Sequence, residues 1–469
     1  MTSASVPTKD RFDVLVLGGG TAGSNAAQAA CEAGASRVGM IYTPEMFNTC
    51  VQEGCMPSKS VLASSTQGHP FSEAIYRKDV HLTRLARALK GKMQRAPYAL
   101  IEGSARFLPG PEGVEVTHEG KVRHLCARNY VIATGAHAWV PPIEGLERLP
   151  SGQVLISDDI VGIETLLGEA PKRLLVLGGG PIGLELATFF ARVETEVLVV
   201  DISGLLEPFD PEFGQARLRA LRATPHMDAL VPGELQSVTD TANGVLCRIA
   251  HKGTLLERCV DRLLIAIGRK PNIETLALEN AHVRVENSTI WHDEHLQTSN
   301  PQIYVAGDVV NHHQILHYAA EMGRVAGINA ARSEPTMAMD YQKNALAVTF
   351  DEYPSALIGL TEKEAKAQGY DVISATQDLS SLGVGILEDL PWGLWKLVAD
   401  QAEGRILGSQ IFGPSSAPEL IHLLAPILYY RGTLQDIVHM TWYHPTYAEL
   451  LRSLARKLCS ETGIECPGA

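Results

Sequence analysis

The sequence contains no run of roughly 18 apolar residues, the length a helix needs to cross a bilayer. Its opening residues, MTSASVPTKDRFDVLVLGGG, lack the apolar stretch and small-residue cleavage site of a secretory signal. They also lack the arginine-rich character of a transit peptide, so the expected location is cytoplasmic, with no membrane association. Basic residues are outnumbered, 40 Lys and Arg against 53 Asp and Glu, for a formal net charge of −13. A surface of that sign repels phosphate backbones, so nucleic acid is not an expected partner. Cysteine is scarce, 8 in 469 residues, which excludes a disulfide scaffold. What is present is ordinary globular composition, with apolar side chains enough for several cores. The length suits about three domains of roughly 150 residues each.

Two segments resemble each other. Val14 to Ala27 reads VLVLGGGTAGSNAA, and Leu174 to Ala187 reads LLVLGGGPIGLELA. Each is an apolar run, a G-x-G-x-x-G, and a stretch suited to a helix; the run fits a buried parallel strand. Gly18, Gly20 and Gly23 would form a tight turn, admit a diphosphate and let helix pack on strand, and Gly178, Gly180 and Gly183 would do the same. The phosphates would meet free N–H groups at a helix N-terminus. One such match is also met in ligand-free turns. Two in the same context make coincidence a poor explanation. After the second copy, TEVLVVDISG ends its strand at Asp201. A carboxylate there accepts hydrogen bonds from the ribose hydroxyls of NAD and repels the 2′-phosphate of NADP. After the first copy the strand ends at Tyr42, with Glu45 three residues on, so the ribose contact there is not assigned.

The stretch NTCVQEGCMPSK holds Cys50 and Cys55. Structural zinc needs four ligands, usually as two pairs. Cys31, Cys126, Cys247, Cys259, Cys459 and Cys466 form no C-x-x-C pattern, and no histidine lies near the pair in sequence, so no metal site is expected. A disulfide needs Cα atoms within about 7 Å. Positions i and i+5 of a straight helix rise about 7.5 Å and face different ways, so a bridge would require a bend. Gly54 permits one, and Pro57 suits the first turn of a new helix. Cys55 would then lie near a helix N-terminus with Lys59 one turn on, and both favour thiolate. Two unrelated buried thiols are the alternative.

With these residues in view, the chain resembles the pyridine nucleotide–disulfide oxidoreductases, whose members carry T-C-x-x-x-x-G-C-x-P-[ST]-K. Here the pattern is met by Thr49, Cys50, Gly54, Cys55, Pro57, Ser58 and Lys59. VIATGAHAWVPPIEG, with Thr134 and Gly135, resembles the family's second flavin segment. LLIAIGRKPN, with Gly268, is similar to the end of its NAD domain, and LQTSNPQIYVAGDVV, with Asp308, to its T-x6-h-h-x-A-G-D signature. The resemblance implies an α/β fold: two Rossmann-like dinucleotide-binding domains, for FAD and NAD, plus a C-terminal α+β dimerisation domain. The implied boundaries are 1–150 and 272–340 for the two parts of the FAD domain, 151–271 for the NAD domain and 341–469 for the dimerisation domain. It also implies flavin contacts from Thr49, Lys59, Gly103, Asp308 and His317, and a Lys59–Glu185 pair near the flavin ring.

Near the end, TWYHPTYAELL contains His444-Pro445-Thr446 and Glu449. A residue before proline avoids helical backbone, so His444 is expected in a turn ahead of a helix, with Glu449 reaching back to the imidazole. Such pairs are more often structural than catalytic. The resemblance, however, implies that His444 is the acid–base group for the thiols, supplied across a homodimer interface, so a monomer would be inactive. Mercuric ion reductases typically lack this segment and end in adjacent cysteines. Here Cys459 and Cys466 are seven apart, and Cys466 is expected to be an inert thiol.

The implied function is electron transfer between a substrate dithiol, a Cys50–Cys55 disulfide, FAD and NAD. Dihydrolipoamide dehydrogenase is the nearest subgroup, and a lipoyl group on a carrier protein a possible substrate. Tyr42, the MFNTC sequence around Phe47 and Asn48, a shortened Ser60 to Glu102 segment, and a loosely matching NALAVTFDEYPSALIGLTE depart from that subgroup. The alternatives are a reductase of another disulfide, a metal-ion or quinone reductase, and a flavin redox sensor without turnover.

Overall fold

In the computed structural model, residues 10–44, 47–110, 113–162, 165, 167–205, 209–312, 314–342 and 345–466 are described. Strand Arg11–Leu17 is the centre of the first sheet. It pairs in parallel with Val38–Tyr42 on one side and with the end of Lys121–Ile132 on the other. Ala99–Glu102 and Ile303–Val305 extend this parallel sheet at its two edges. The beginning of Lys121–Ile132 pairs antiparallel with Val114–His118, which carries Ser104–Phe107, so one long strand serves two layers. Val14 to Leu17 are essentially unexposed, as expected for a strand covered on both faces.

The second sheet repeats the plan. Its order is Met227–Leu230, Glu196–Val200, Arg173–Leu177, Arg262–Ile265, Val154–Ile156, all parallel. In both sheets the strand preceding the glycine loop lies where strand order reverses, which is where open α/β sheets bind ligands. A three-stranded antiparallel layer, Glu234–Thr241, Gly244–His251 and Thr254–Val260, follows. The C-terminal unit is a five-stranded antiparallel sheet spanning Leu346 to Phe412, backed by helices that end with Leu450–Thr462.

The helix after the first glycine loop, Thr21–Glu32, packs closely on Leu316–Ala331. A Cβ on Gly323 or Gly327 would lie 2.2 Å from the carbonyl oxygen of Ala22 or Ala26, so only glycine allows this approach. That contact fixes Asp308 and the start of Leu316–Ala331 against the first glycine loop. Ion pairs, the Arg217–Asp351 and Lys396–Asp210 ones buried, tie the second sheet's helices to the C-terminal unit. Arg217 pairs with Asp351, Arg192 with Glu352 at 2.9 Å, and Lys396 with Asp210 at 2.9 Å and Glu212 at 2.7 Å.

One sequence expectation is corrected. Cys466 is not a lone inert thiol: it forms a disulfide with Cys459, Cα to Cα 6.2 Å. Helix Leu450–Thr462 ends at Gly463, whose φ of +76° turns the chain back so that Cys466 returns to the helix side. Among the described residues no helix is long and apolar enough to cross a membrane.

Candidate active site

The two glycine loops have the same local construction. Gly18 has φ +118°, and a Cβ there would lie 2.1 Å from the Ala133 carbonyl oxygen; Gly178 has φ +117° and would meet the Ala266 oxygen at 2.3 Å. A Cβ on Gly23 or Gly183 would strike the carbonyl of its own loop's first glycine, at 1.9 Å and 2.1 Å. A Cβ on Gly20 or Gly180 would meet no protein atom within 4 Å. Gly20 and Gly180 precede the helices Thr21–Glu32 and Pro181–Arg192, so each opens a space at a helix N-terminus, as a diphosphate requires.

Three adjoining cavities follow from this. The first is lined by Gly20, Cys50, Cys55, Lys59, Glu185 and Asp308. The second, beside it, is lined by Gly18, Tyr42, Gly103, Thr134 and Gly135. The third is lined by Gly178, Gly180, Asp201 and Gly268, and shares Pro181 and Ile182 with the first. The chain therefore has space for one dinucleotide across the first two cavities and for another meeting it at Pro181 and Ile182. Arg269 lines the first two cavities, donating to the Ala136 carbonyl oxygen at 2.7 Å and facing Asp158 at 3.6 Å.

The cysteine segment is bent as its glycine allows. Helix Thr49–Gln52 stops, and Cys55–Thr66 begins immediately after Gly54. Gly54 has φ −124° and ψ −115°, and a Cβ there would press on Thr49 O at 2.9 Å. Asn48 caps the short helix by accepting from Val51 N at 3.1 Å. Gln52 Oε1 accepts from both Phe47 N and Asn48 N at 2.8 Å, so the MFNTC departure is internally satisfied. Cys50 and Cys55 are thiols in hydrogen-bond contact. The hydrogen bond from Cys50 lowers the Cys55 thiol to about 7, with help from Lys59. The same bond, together with burial, raises Cys50. Thus Cys55 is the thiolate and Cys50 the proton donor. In the reduced protein, thiolate absorbance in the ultraviolet should grow as pH rises through about 7. Lys59→Met should move that midpoint upward; an unmoved midpoint, or one at the ordinary thiol value, would refute the assignment.

Lys59 pairs with Glu185 at 2.7 Å and lies over the Phe350 ring at 5.0 Å. Glu185, 4% exposed, also accepts from Phe350 N at 3.1 Å. Three distant segments therefore meet at the lysine. Asp308 is half-buried beside the same cavity, and desolvation raises its carboxyl, partly offset by Arg269. In the third cavity Asp201 accepts from Gly179 N at 2.7 Å and from Ser203 N at 2.9 Å, which fixes the glycine loop to the strand end.

Not every expected residue joins this cluster. The His317 ring lies tilted against Tyr318, centroids 4.8 Å apart, while Leu316 and Ala319 of the same helix line the first cavity. His444 lies in a turn, its Nδ1 2.9 Å from Glu449 as expected, but it is 76% exposed and does not line the cysteine cavity. Glu45 falls outside the described residues. Tyr42 donates to Glu102 Oε1 at 2.9 Å, so the carboxylate at this edge comes from the neighbouring strand. Glu53, Asp158 and Arg269 also border the cavities and were not singled out from sequence. Glu53 lies between the cysteines and Arg269 follows Gly268, and only those adjacencies could have signalled them.

Comparison with known proteins agrees with this geometry. Residues 12–323 match the pyridine nucleotide-disulphide oxidoreductase family and residues 346–455 its dimerisation domain. Mercuric reductase of Lysinibacillus sphaericus is 30% identical, over 97% of this chain and 84% of its own. Dihydrolipoyl dehydrogenase 2 of Haloarcula marismortui is 29% identical, over 94% and 96%. The solved Cu(II) complex of the HOCl-induced flavoprotein disulfide reductase RclA from Escherichia coli aligns with a TM-score of 0.83 at 25% identity, covering 96% of this chain and 99% of that one.

Proposed function

The chain belongs to the pyridine nucleotide-disulphide oxidoreductase family, and on that premise we propose that it is a dithiol–disulfide oxidoreductase of the dihydrolipoamide dehydrogenase kind, moving electrons between a substrate dithiol, Cys50 and Cys55, FAD and NAD. The observation that carries this reading is the shared cavity. A thiol–thiolate pair at a helix N-terminus opens into the same space as Gly20, Asp308 and the Lys59–Glu185 pair. The second nucleotide cavity joins that space at Pro181 and Ile182.

Gly18, Gly20 and Gly23 would receive the flavin dinucleotide's diphosphate, with Thr49, Gly103, Thr134, Gly135 and Asp308 along its length. Bound FAD supplies a two-electron relay between sulfur and nicotinamide. The chain's own residues do the remainder. Cys50 exchanges with the substrate sulfur through a mixed disulfide. As a substrate dithiol leaves oxidised, the internal disulfide opens and Cys55 is freed as thiolate; as a substrate disulfide leaves reduced, Cys55 attacks Cys50 and closes the internal disulfide. Lys59, oriented by Glu185, places positive charge beside Cys55. His444, held by Glu449, exchanges the thiol proton from the neighbouring subunit, and imidazole suits that task near neutral pH. Cys50 and Cys55 sharing one site make the exchange effectively unimolecular.

Gly178, Gly180, Gly183, Asp201 and Gly268 would hold NAD. Asp201 and Glu234 line this cavity, and no Lys or Arg does among the described residues. A 2′-phosphate would meet like charge without a counter-ion. NADH should exceed NADPH by at least about 100-fold in kcat/KM, a difference of about 2.7 kcal/mol. Equal use of the two would refute the role of Asp201.

Anaerobic titration of the flavin-loaded protein tests the whole reading. NADH and dihydrolipoamide should each bleach the flavin absorbance. Bleaching by NADH but not by dihydrolipoamide would remove the favoured substrate and leave the second reading, a metal-ion reductase, which rests on the 30% identity to mercuric reductase.

A further inference from the structure

Glu53 lies between the redox cysteines and lines both the first and the second cavity, so it stands at their junction. Its side chain packs against the turn that ends helix Ser157–Val161: a Cβ on Gly162 would lie 4.0 Å from Glu53 Cγ. It hydrogen-bonds the carboxyl of Asp158 on that helix. Two carboxyl groups can share a hydrogen bond only if one keeps its proton. Asp158 also accepts from Ser157 Oγ at 2.8 Å and faces Arg269 at 3.6 Å, so the proton belongs to Glu53.

We propose that Glu53 governs how tightly the flavin dinucleotide is held: as a neutral acid it shares its proton with Asp158, and once ionised it adds a carboxylate charge at the junction and loosens the diphosphate. This rests on the flavoprotein reading above. Burial first, and the charge of Asp158 next, raise the Glu53 carboxyl to about 7, with Arg269 opposing. The groups around it are few enough to name. Cys50, Cys55 and Lys59 come from its own segment, and Glu185 and Asp308 from the far walls of the first cavity. Tyr42, His137, Asp158 and Arg269 border the second. With Glu53 neutral, Arg269 balances one of the two carboxylates Asp158 and Asp308. With Glu53 ionised, three carboxylates face one guanidinium.

The test is FAD affinity of the oxidised apoprotein, in which Cys50 and Cys55 are joined and do not titrate. Dissociation constants are measured by flavin fluorescence between about pH 6 and about pH 9, with proton uptake read by calorimetry in buffers of different ionisation enthalpy. Wild-type protein should bind about tenfold more weakly at the alkaline end, one pKa unit of linkage, and should take up protons on binding at slightly alkaline pH. Glu53→Gln should bind tightly with a flat profile and no uptake. Asp158→Asn, which removes the acid partner but can donate to a Glu53 carboxylate, should move the weakening to lower pH. An unchanged slope in Glu53→Gln, or wild-type binding without proton uptake, overturns the inference while leaving the flavoprotein reading intact. Failure of the wild type to bind FAD at every pH overturns both.

Discussion

Cys50→Ser should retain flavin and remain reducible by NADH, yet lose dithiol turnover by a factor on the order of 10³ or more. The two sulfurs divide the labour. Cys50 carries the proton and Cys55 the charge. Serine at position 50 keeps a hydroxyl that can donate to Cys55, so the inner thiolate and the lining of the cavity persist. What disappears is the sulfur assigned to the exchange with substrate, because a serine oxygen cannot form a mixed disulfide. Cys55→Ser should be as damaging to turnover but should also abolish the thiolate titration near pH 7. The pair of variants therefore separates an exchange sulfur from a charge-bearing one. Turnover of Cys50→Ser within tenfold of wild type would mean that Cys50 is not the exchange sulfur, however well its geometry suits.

The contrast between what was and was not legible in the sequence has a physical basis. Gly18 and Gly178 were legible because backbone approach leaves no room for any other side chain, so chemistry and spelling coincide. The bend at Gly54 was legible because a bridge between positions five apart cannot span a straight helix. Glu185 was not legible by burial: two residues past Gly183, it belongs to a helix whose buried face only the fold defines. Its burial against Lys59 depends on helix Cys55–Thr66 crossing from the first unit, which no local pattern encodes. The Cys459–Cys466 disulfide was missed for a related reason. Seven residues are too far along a helix, and only the reversal at Gly463 shortens the distance. Glu53 and Asp158 are 105 positions apart in the chain, and their shared proton exists only because the turn after Thr49–Gln52 meets helix Ser157–Val161 at the cavity junction.

His444→Ala should lower dithiol turnover by about 10²- to 10⁴-fold, the range for losing a general acid–base group, and leave NADH reduction of the flavin unchanged. Glu449→Gln should cost less, since it removes the partner that orients the imidazole but not the imidazole. The geometry makes a sharper demand. His444 is 76% exposed and Tyr443 beside it 81% exposed, on a unit that matches the family's dimerisation domain. An imidazole directed off its own subunit can serve a thiol only on the other. Hybrid dimers decide this. One subunit carries Cys50→Ser and the other His444→Ala, and each homodimer is inactive toward a dithiol. If the histidine acts across the interface, the hybrid contains one site with intact Cys50, Cys55 and His444, and activity returns to about half of wild type, one of two sites. If the histidine acts within its own subunit, both sites of the hybrid lack an essential group and activity stays absent. Full dithiol activity in His444→Ala itself would remove the acid–base role altogether and move the preference to an acceptor that needs no thiol proton, such as a metal ion.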